Sequence, residues 1–176
     1  MEHLLSHLNA AYNLARWLTR NNADAEDLVQ EAYLRAIKHF SSFHGGDSRP
    51  WLLAIARNTF YTLLQQNRAP EQRIPFDEEI HSAEENHPNP EVLLLQKANN
   101  QLVRQAIEEL PPEFREVIVL RELEGLSYKQ IADVTETPFG TVMSRLARAR
   151  KRLEQNLSQS RVQRKELQVE VRRKGA

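Results

Sequence analysis

Leu126–Arg152, LSYKQIADVTETPFGTVMSRLARARKR, is the stretch whose reading decides the fold. It reads as two short helices joined by a tight turn. Ser127 can cap the first helix, and Gln130 stands three residues on, at the capping-box spacing. Ile131, Ala132 and Val134 supply that helix's apolar positions. Thr135-Glu136-Thr137 breaks the pattern, and Thr137-Pro138 restarts it with a hydroxyl cap followed by a proline at the first helical position. Val142, Leu146, Ala149 and Leu153 then recur at helical spacing. Thr141, Ser144, Arg145, Arg148, Lys151 and Arg152 fall on the other face. A helix of this size fits the major groove of duplex DNA, where hydroxyls and guanidinium groups bond phosphates and base edges. The reading is a helix-turn-helix directed at DNA. A helical hairpin with a merely solvated basic face is the plainer alternative, but cap, turn, second cap and basic face together are more specific than any one of them.

Charge supports this placement. The 176-residue chain carries 24 basic and 24 acidic side chains, yet residues 126–157 hold six basic against three acidic, and residues 158–176 hold six against two. Cationic character therefore gathers where phosphate contacts are expected. A neutral total means that charge alone does not supply the affinity, so a further component or a second DNA contact is expected.

The segment at residues 69–90, APEQRIPFDEEIHSAEENHPNP, has four prolines, many acids and no helical stripe, and reads as a flexible acidic linker. Upstream, one helix is predicted from Glu2 to Arg20, with Leu4, Leu8, Ala11, Leu14, Ala15 and Leu18 inward. A second is predicted from a cap at Asp24 to Phe40, and a third from a cap at Ser48 to Gln66 with Pro50 in its first turn. Downstream, Asn89-Pro90 starts a helix to about Leu110, Pro111-Pro112 breaks it, and another runs from Glu113 to Glu124. No period-two strand pattern of useful length occurs. The expected fold class is all-α, with two small helical domains, 1–68 and 91–157, and a basic tail at 158–176.

In the second predicted helix Val29, Tyr33, Ala36, Ile37 and Phe40 are expected to pack inward, leaving Asp27, Gln30, Glu31 and Leu34 together on the outer side. A leucine ringed by acids and an amide suits a protein partner, although isolated exposed leucines are common.

Three segments carry a family resemblance. DAEDLVQEAYLRAIKHF at Asp24–Phe40, RPWLLAIARNTF at Arg49–Phe60 and LPPEFREVIVLRELEGLSYKQIADVTETPFGTVMSRLARARKRL at Leu110–Leu153 resemble, in order and spacing, successive segments of bacterial sigma factors of the sigma-70 family. The minimal two-domain layout is similar to the extracytoplasmic-function group, and the resemblance covers nearly all of residues 5–157. It implies a factor that binds core RNA polymerase and directs promoter recognition and initiation, with melting by the N-terminal domain. It also implies promoter DNA and an anti-sigma factor as partners.

Residue by residue, the resemblance makes Asp27, Gln30, Glu31 and Leu34 the contact patch for core polymerase. Arg49–Phe60 and the preceding loop would hold the non-template strand of the −10 element, with Phe43 and Asn58 at the pocket for an extruded base. An aromatic wall can stack such a base and an amide can pair with its edge. In the −35 element Ser144, Ala147 and Arg148 would face base edges, with Thr141 and Arg145 nearer phosphate. Arg121 matches another DNA-facing position. Met143 departs from the arginine frequent in relatives; it cannot grip guanine with two hydrogen bonds but can touch a thymine methyl.

Other functions find little support. His3 and His7 lie one helical turn apart, and His81, Glu84, Glu85 and His87 fall in the linker, but a proline-bounded segment does not favour the convergence that a metal needs. No Gly-rich phosphate loop or nucleophile–base arrangement is present, so neither a catalytic role nor a cofactor is expected. The chain lacks cysteine, and Glu2, His3, Ser6, His7 and Asn9 interrupt any N-terminal apolar run. A cytoplasmic protein without membrane insertion is expected. Two other readings stay open: a helix-turn-helix regulator acting without polymerase, and a sigma-like adaptor that sequesters a partner.

Overall fold

The computed structural model describes residues 2–66 and 100–174. The expected linker, the helix start at Asn89-Pro90 and the histidines at 81 and 87 lie outside the described residues. The elements are α1 (Glu2–Leu5), α2 (Leu8–Thr19), α3 (Asn22–Lys38), α4 (Ser48–Gln66), α5 (100–108), α6 (Pro112–Ile118), α7 (Tyr128–Thr135) and α8 (Phe139–Lys174). A single 3-10 turn covers Phe40–Ser42, and a wide π-type turn at Val119–Leu123 continues α6. No strand occurs among the described residues.

Several local expectations shift. The first helix breaks at Ser6–His7, giving α1 and α2. Asn21, not Asp24, caps α3: its side chain accepts from the Asp24 amide, which leaves the Asp24 carboxylate in the first turn, where it favours the helix dipole. At α4 the cap is Asp47, whose Oδ1 accepts from the Arg49 amide at 3.0 Å, while Ser48 is buried. Ser127 and Gln130 form the expected reciprocal capping box. Thr137 spends its hydroxyl on Thr135, 2.8 Å away. Ile37, expected inward, is exposed; Ala25, Leu28, Ala32 and Ala36 form the buried stripe of α3 instead. The basic tail extends the last helix, α8 running on to Lys174.

The tertiary arrangement turns on α4. Leu52 and Ala56 pack with Leu4, Ala11, Ala32 and Ala36 in one cluster. Leu53 and Phe60, on its other flank, enter a second cluster that takes Leu14, Leu18 and Leu28 from the N-terminal half and Leu110, Val117, Leu120, Ile131, Val142 and Leu146 from the C-terminal half. The two halves read from the sequence thus share a core. Burial of large aliphatic side chains at about 25 cal/mol per Å2 of apolar area is what holds them.

Arg115 ties the halves together by a different means. It is buried, and its guanidinium donates to the carbonyls of Trp17 and Leu18 at the end of α2 and of Ile107, Glu108 and Leu110 at the end of α5, between 2.7 and 3.4 Å. Helix ends leave carbonyls without partners and carry negative partial charge, so one cation satisfies two of them at once. Burial lowers its pKa to about 10, with Arg20 pushing the same way, which leaves it charged at neutral pH.

Candidate nucleic-acid interface

On α8 a buried and an exposed face form as the periodicity predicts. Val142, Leu146 and Ala149 are buried, while Met143, Ser144, Ala147 and Arg148 are exposed and Thr141 is half-buried. Met143 is 49 % exposed, so its thioether is free to meet a groove. Arg145 departs from the expected phosphate position. Its guanidinium turns inward to 3.6 Å from the buried carboxylate of Glu116, where Nη1 has no hydrogen-bond partner. Arg121 is also engaged: it donates to the Leu126 carbonyl at 2.7 Å and lies over the Tyr128 ring at 4.9 Å, bracing the entry to α7. The left-handed turn that ends α7 is made by Glu136, at φ 51°.

The patch on α3 is exposed as expected. Leu34 is 63 % and Ile37 41 % exposed, Asp27 and Gln30 face solvent, and Glu31 pairs with Arg35 at 2.7 Å. Ile37 is a residue that the periodicity missed, because the buried stripe of α3 runs through Ala25, Leu28, Ala32 and Ala36 and leaves Ile37 outside it.

Around the expected base pocket, Phe43 stacks obliquely on Trp51 at 5.1 Å and lies 6.0 Å from Phe40, half-buried. The loop to α4 passes through Gly45 and Gly46 at φ 90° and 94°, a conformation that other residues rarely adopt. Asn58 stands on α4 with both ends of its amide occupied. Its Nδ2 donates to Glu136 Oε1 at 2.8 Å, and its Oδ1 accepts from Arg57 at 3.2 Å.

Arg57 in turn donates through Nε and Nη2 to the two oxygens of Glu116, at 2.9 and 3.2 Å, and lies over the Tyr61 ring at 4.7 Å. The Tyr61 hydroxyl donates to the same carboxylate at 3.0 Å. Burial pushes the Glu116 carboxyl above its ordinary range, opposed by its bonds from Arg57 and Tyr61 and by nearby Arg145. Burial also raises Tyr61, helped by the Glu116 charge, so the phenol stays a donor. Two further links join the same faces: Arg49 Nη2 to Glu124 Oε2 at 2.5 Å, and Gln130 Nε2 to Asp47 Oδ2 at 3.5 Å. Sequence reasoning missed Arg57, Glu116, Glu124 and Glu136. One signal was available, since Glu116 stands directly before the apolar run Val117–Leu120, two residues after Phe114.

Among the described residues no group of three or more His, Asp or Glu side chains could hold a metal, and no helix is long and apolar enough to cross a membrane.

Comparison with known proteins matches residues 4–69 to the family described as sigma-70 region 2 and residues 100–153 to that described as sigma-70, region 4. The ECF RNA polymerase sigma-E factor of Escherichia coli strain K12 is 39 % identical over 140 residues, which cover 76 % of this chain and 73 % of that protein. The ECF RNA polymerase sigma factor SigE of Mycolicibacterium smegmatis is 35 % identical over 153 residues, covering 86 % of this chain; the match spans only 59 % of that longer relative. Among solved structures, the sigma factor RpoE of Bartonella quintana in complex with the anti-sigma factor NepR superposes with a TM-score of 0.71 at 29 % identity, covering 89 % of this chain and 95 % of that one. CnrH in complex with the cytosolic domain of CnrY shares the fold, with a TM-score of 0.60 at 24 % identity, covering 88 % and 85 %.

Proposed function

The chain belongs to the extracytoplasmic-function sigma factors of the sigma-70 family, and from that premise we propose that it binds core RNA polymerase and directs promoter recognition and transcription initiation. The observation that carries the proposal is that one chain bears, in family order, an exposed apolar patch ringed by polar groups on α3 and an exposed groove-sized face on α8. Residues 1–68 would dock on core enzyme through Asp27, Gln30, Glu31 and Leu34, and would melt the −10 element with Phe43 and Asn58. Residues 91–157 would read the −35 element through Ser144, Ala147 and Arg148, with Met143 tuning the sequence preferred. The chain acts as a specificity subunit and not as a catalyst, in the cytoplasm where polymerase works. By analogy with RpoE in its complex with NepR, an anti-sigma factor is the expected regulator.

The test is to add the purified chain to core polymerase with a promoter library. Specific initiation is expected. Operator binding without polymerase would instead make the chain a regulator, and neither activity would make it a sequestering adaptor.

A further inference from the structure

Phe139 is the first residue of α8 and is 51 % exposed, and none of the contacts assigned above uses it. Met143 and Ala147 follow it at four-residue steps, so the three side chains lie along one line of the helix surface. All three are exposed. A lone exposed apolar residue needs no explanation. Three in register, on the face proposed to enter the groove, form a continuous apolar stripe.

Ser144 and Arg148 run beside that stripe as a second, polar line. The Ser144 hydroxyl already donates to the Thr141 carbonyl at 3.0 Å, which leaves its oxygen as an acceptor. Of these five side chains, therefore, only Arg148 can grip guanine with two donated hydrogen bonds. The rest of the face offers carbon and sulfur. In the major groove the apolar group on a base edge is the 5-methyl of thymine, and an aromatic ring is among the side chains that meet it. Exposed Arg148 and Lys151 on the same helix favour a duplex with its phosphates over an apolar peptide as the occupant.

The Phe139 ring is also held in place. It packs against Tyr128, the first residue of α7, with centroids 6.0 Å apart and planes at 63°. Tyr128 in turn lies under the Arg121 guanidinium at 4.9 Å, and Arg121 is fixed by its 2.7 Å bond to the Leu126 carbonyl. This chain of contacts joins the starts of both helices of the motif. A ring so anchored meets a ligand with less rotamer freedom left to lose. Beside it Gly140 faces open space, with no atom within 4 Å of where a Cβ would stand, so the approach to the ring is clear.

We propose that Phe139 is a specificity-determining residue of the −35 interface: Phe139 and Met143 seat the 5-methyl groups of two different thymines. Tyr128, braced by Arg121, is the positioning residue for the Phe139 ring. Ala147, with a single methyl, completes the line without reaching as far. The inference rests on the sigma-factor reading above and names the chemical group that this part of the face selects.

The experiment uses the full chain assembled with core polymerase, and promoters it initiates from, drawn from a library randomised across the −35 element. Each −35 thymine is replaced singly by deoxyuridine, which removes the methyl and keeps the base pair. Wild type should lose about three- to fivefold in initiation at each of two thymines, as expected for one buried methyl group. Phe139→Ala should become indifferent to the methyl at one of them and Met143→Ala to the methyl at the other. Tyr128→Leu should blunt the response at the Phe139 thymine alone, a selectivity that a general loss of folding would not produce. If wild type initiates but deoxyuridine changes nothing at any −35 position, or if Phe139→Ala responds at every thymine as wild type does, the proposal is overturned and the sigma-factor reading stands. If wild type fails to initiate with core polymerase on any promoter, that reading falls and the proposal falls with it.

Discussion

The Glu116 carboxylate on α6 is fully buried and meets the Arg57 guanidinium of α4 side-on, through two hydrogen bonds of 2.9 and 3.2 Å. A two-point contact of this kind fixes direction as well as distance, and it joins residues 59 positions apart in the chain. Charges taken out of water are costly unless paired, so the pair makes the packing of the two halves specific more than it makes it strong.

Removing one partner should therefore be expensive. Glu116→Ala strands Arg57 and the Tyr61 hydroxyl in a largely closed site and is expected to cost about 3–5 kcal/mol, the usual loss on breaking a buried pair. Urea denaturation followed by circular dichroism measures it. A loss below about 1 kcal/mol, the level of an exposed pair, would show that the carboxylate is not confined as described.

The same carboxyl sets a pH dependence. Its pKa is raised in the folded chain above its ordinary value, chiefly by burial. A carboxyl raised on folding binds its proton more tightly when folded, so its contribution is fully present below the unfolded pKa and is lost as pH rises through the raised value. Glu116→Gln has no such proton to lose. Its stability relative to wild type should grow as pH rises from below about 4.3, the unperturbed glutamate value, toward neutrality. Paired denaturation curves at stepped pH would contradict the assignment if the gap stayed flat or narrowed.

On α3, replacing Leu34 with Arg and Asp27 with Lys alters exposed side chains that take no part in the core. Assembly with core polymerase should be lost while the folding stability stays within the small range typical of surface substitutions, about ±0.5 kcal/mol. Pull-down at wild-type strength would move the docking surface elsewhere.

The promoter contacts separate by their physical character. Arg148→Ala should weaken initiation according to the base at one or two −35 positions, by about 1–3 kcal/mol for a two-point contact to guanine. Met143→Arg should change which −35 bases are preferred. Asn58→Ala and Phe43→Ala should leave binding to duplex −35 DNA intact and impair strand opening. Permanganate footprinting on promoters varied at each element reads all of these. Equal loss from Arg148→Ala on every −35 variant would demote it from base reader to phosphate contact.

Arg145 behaves differently from its sequence expectation, and the reason is geometric. A purely exposed phosphate contact, once removed, lowers the salt dependence of binding by about one unit. Because Arg145 faces Glu116 in the closed arrangement, Arg145→Ala should also loosen the free chain, seen as faster amide exchange across α6. Unaltered exchange there would return Arg145 to a simple DNA-facing role.

Helices, their order and the helix-turn-helix were determined by the sequence alone. Caps such as Ser127 with Gln130, the Pro111-Pro112 break and the i, i+3, i+4 stripe of Val142, Leu146 and Ala149 act over a single turn, so their consequences are local and readable. Even there, competition between near-equal caps was decided only in three dimensions: Asn21 prevailed over Asp24 and Asp47 over Ser48, because the chain entering each helix sets which oxygen meets the free amides. What tertiary structure alone decided is the partnership of the charged side chains. Glu116, Glu124 and Glu136 read as ordinary acids on helices and a turn, and Arg145 as one more cation on a basic face. Only the packing of α7 against α4 and the core shared by both halves bring these groups within hydrogen-bond reach. Periodicity reports which face of a helix is buried; it carries no term for which distant charge will lie opposite, since that depends on how two separately amphipathic bodies dock.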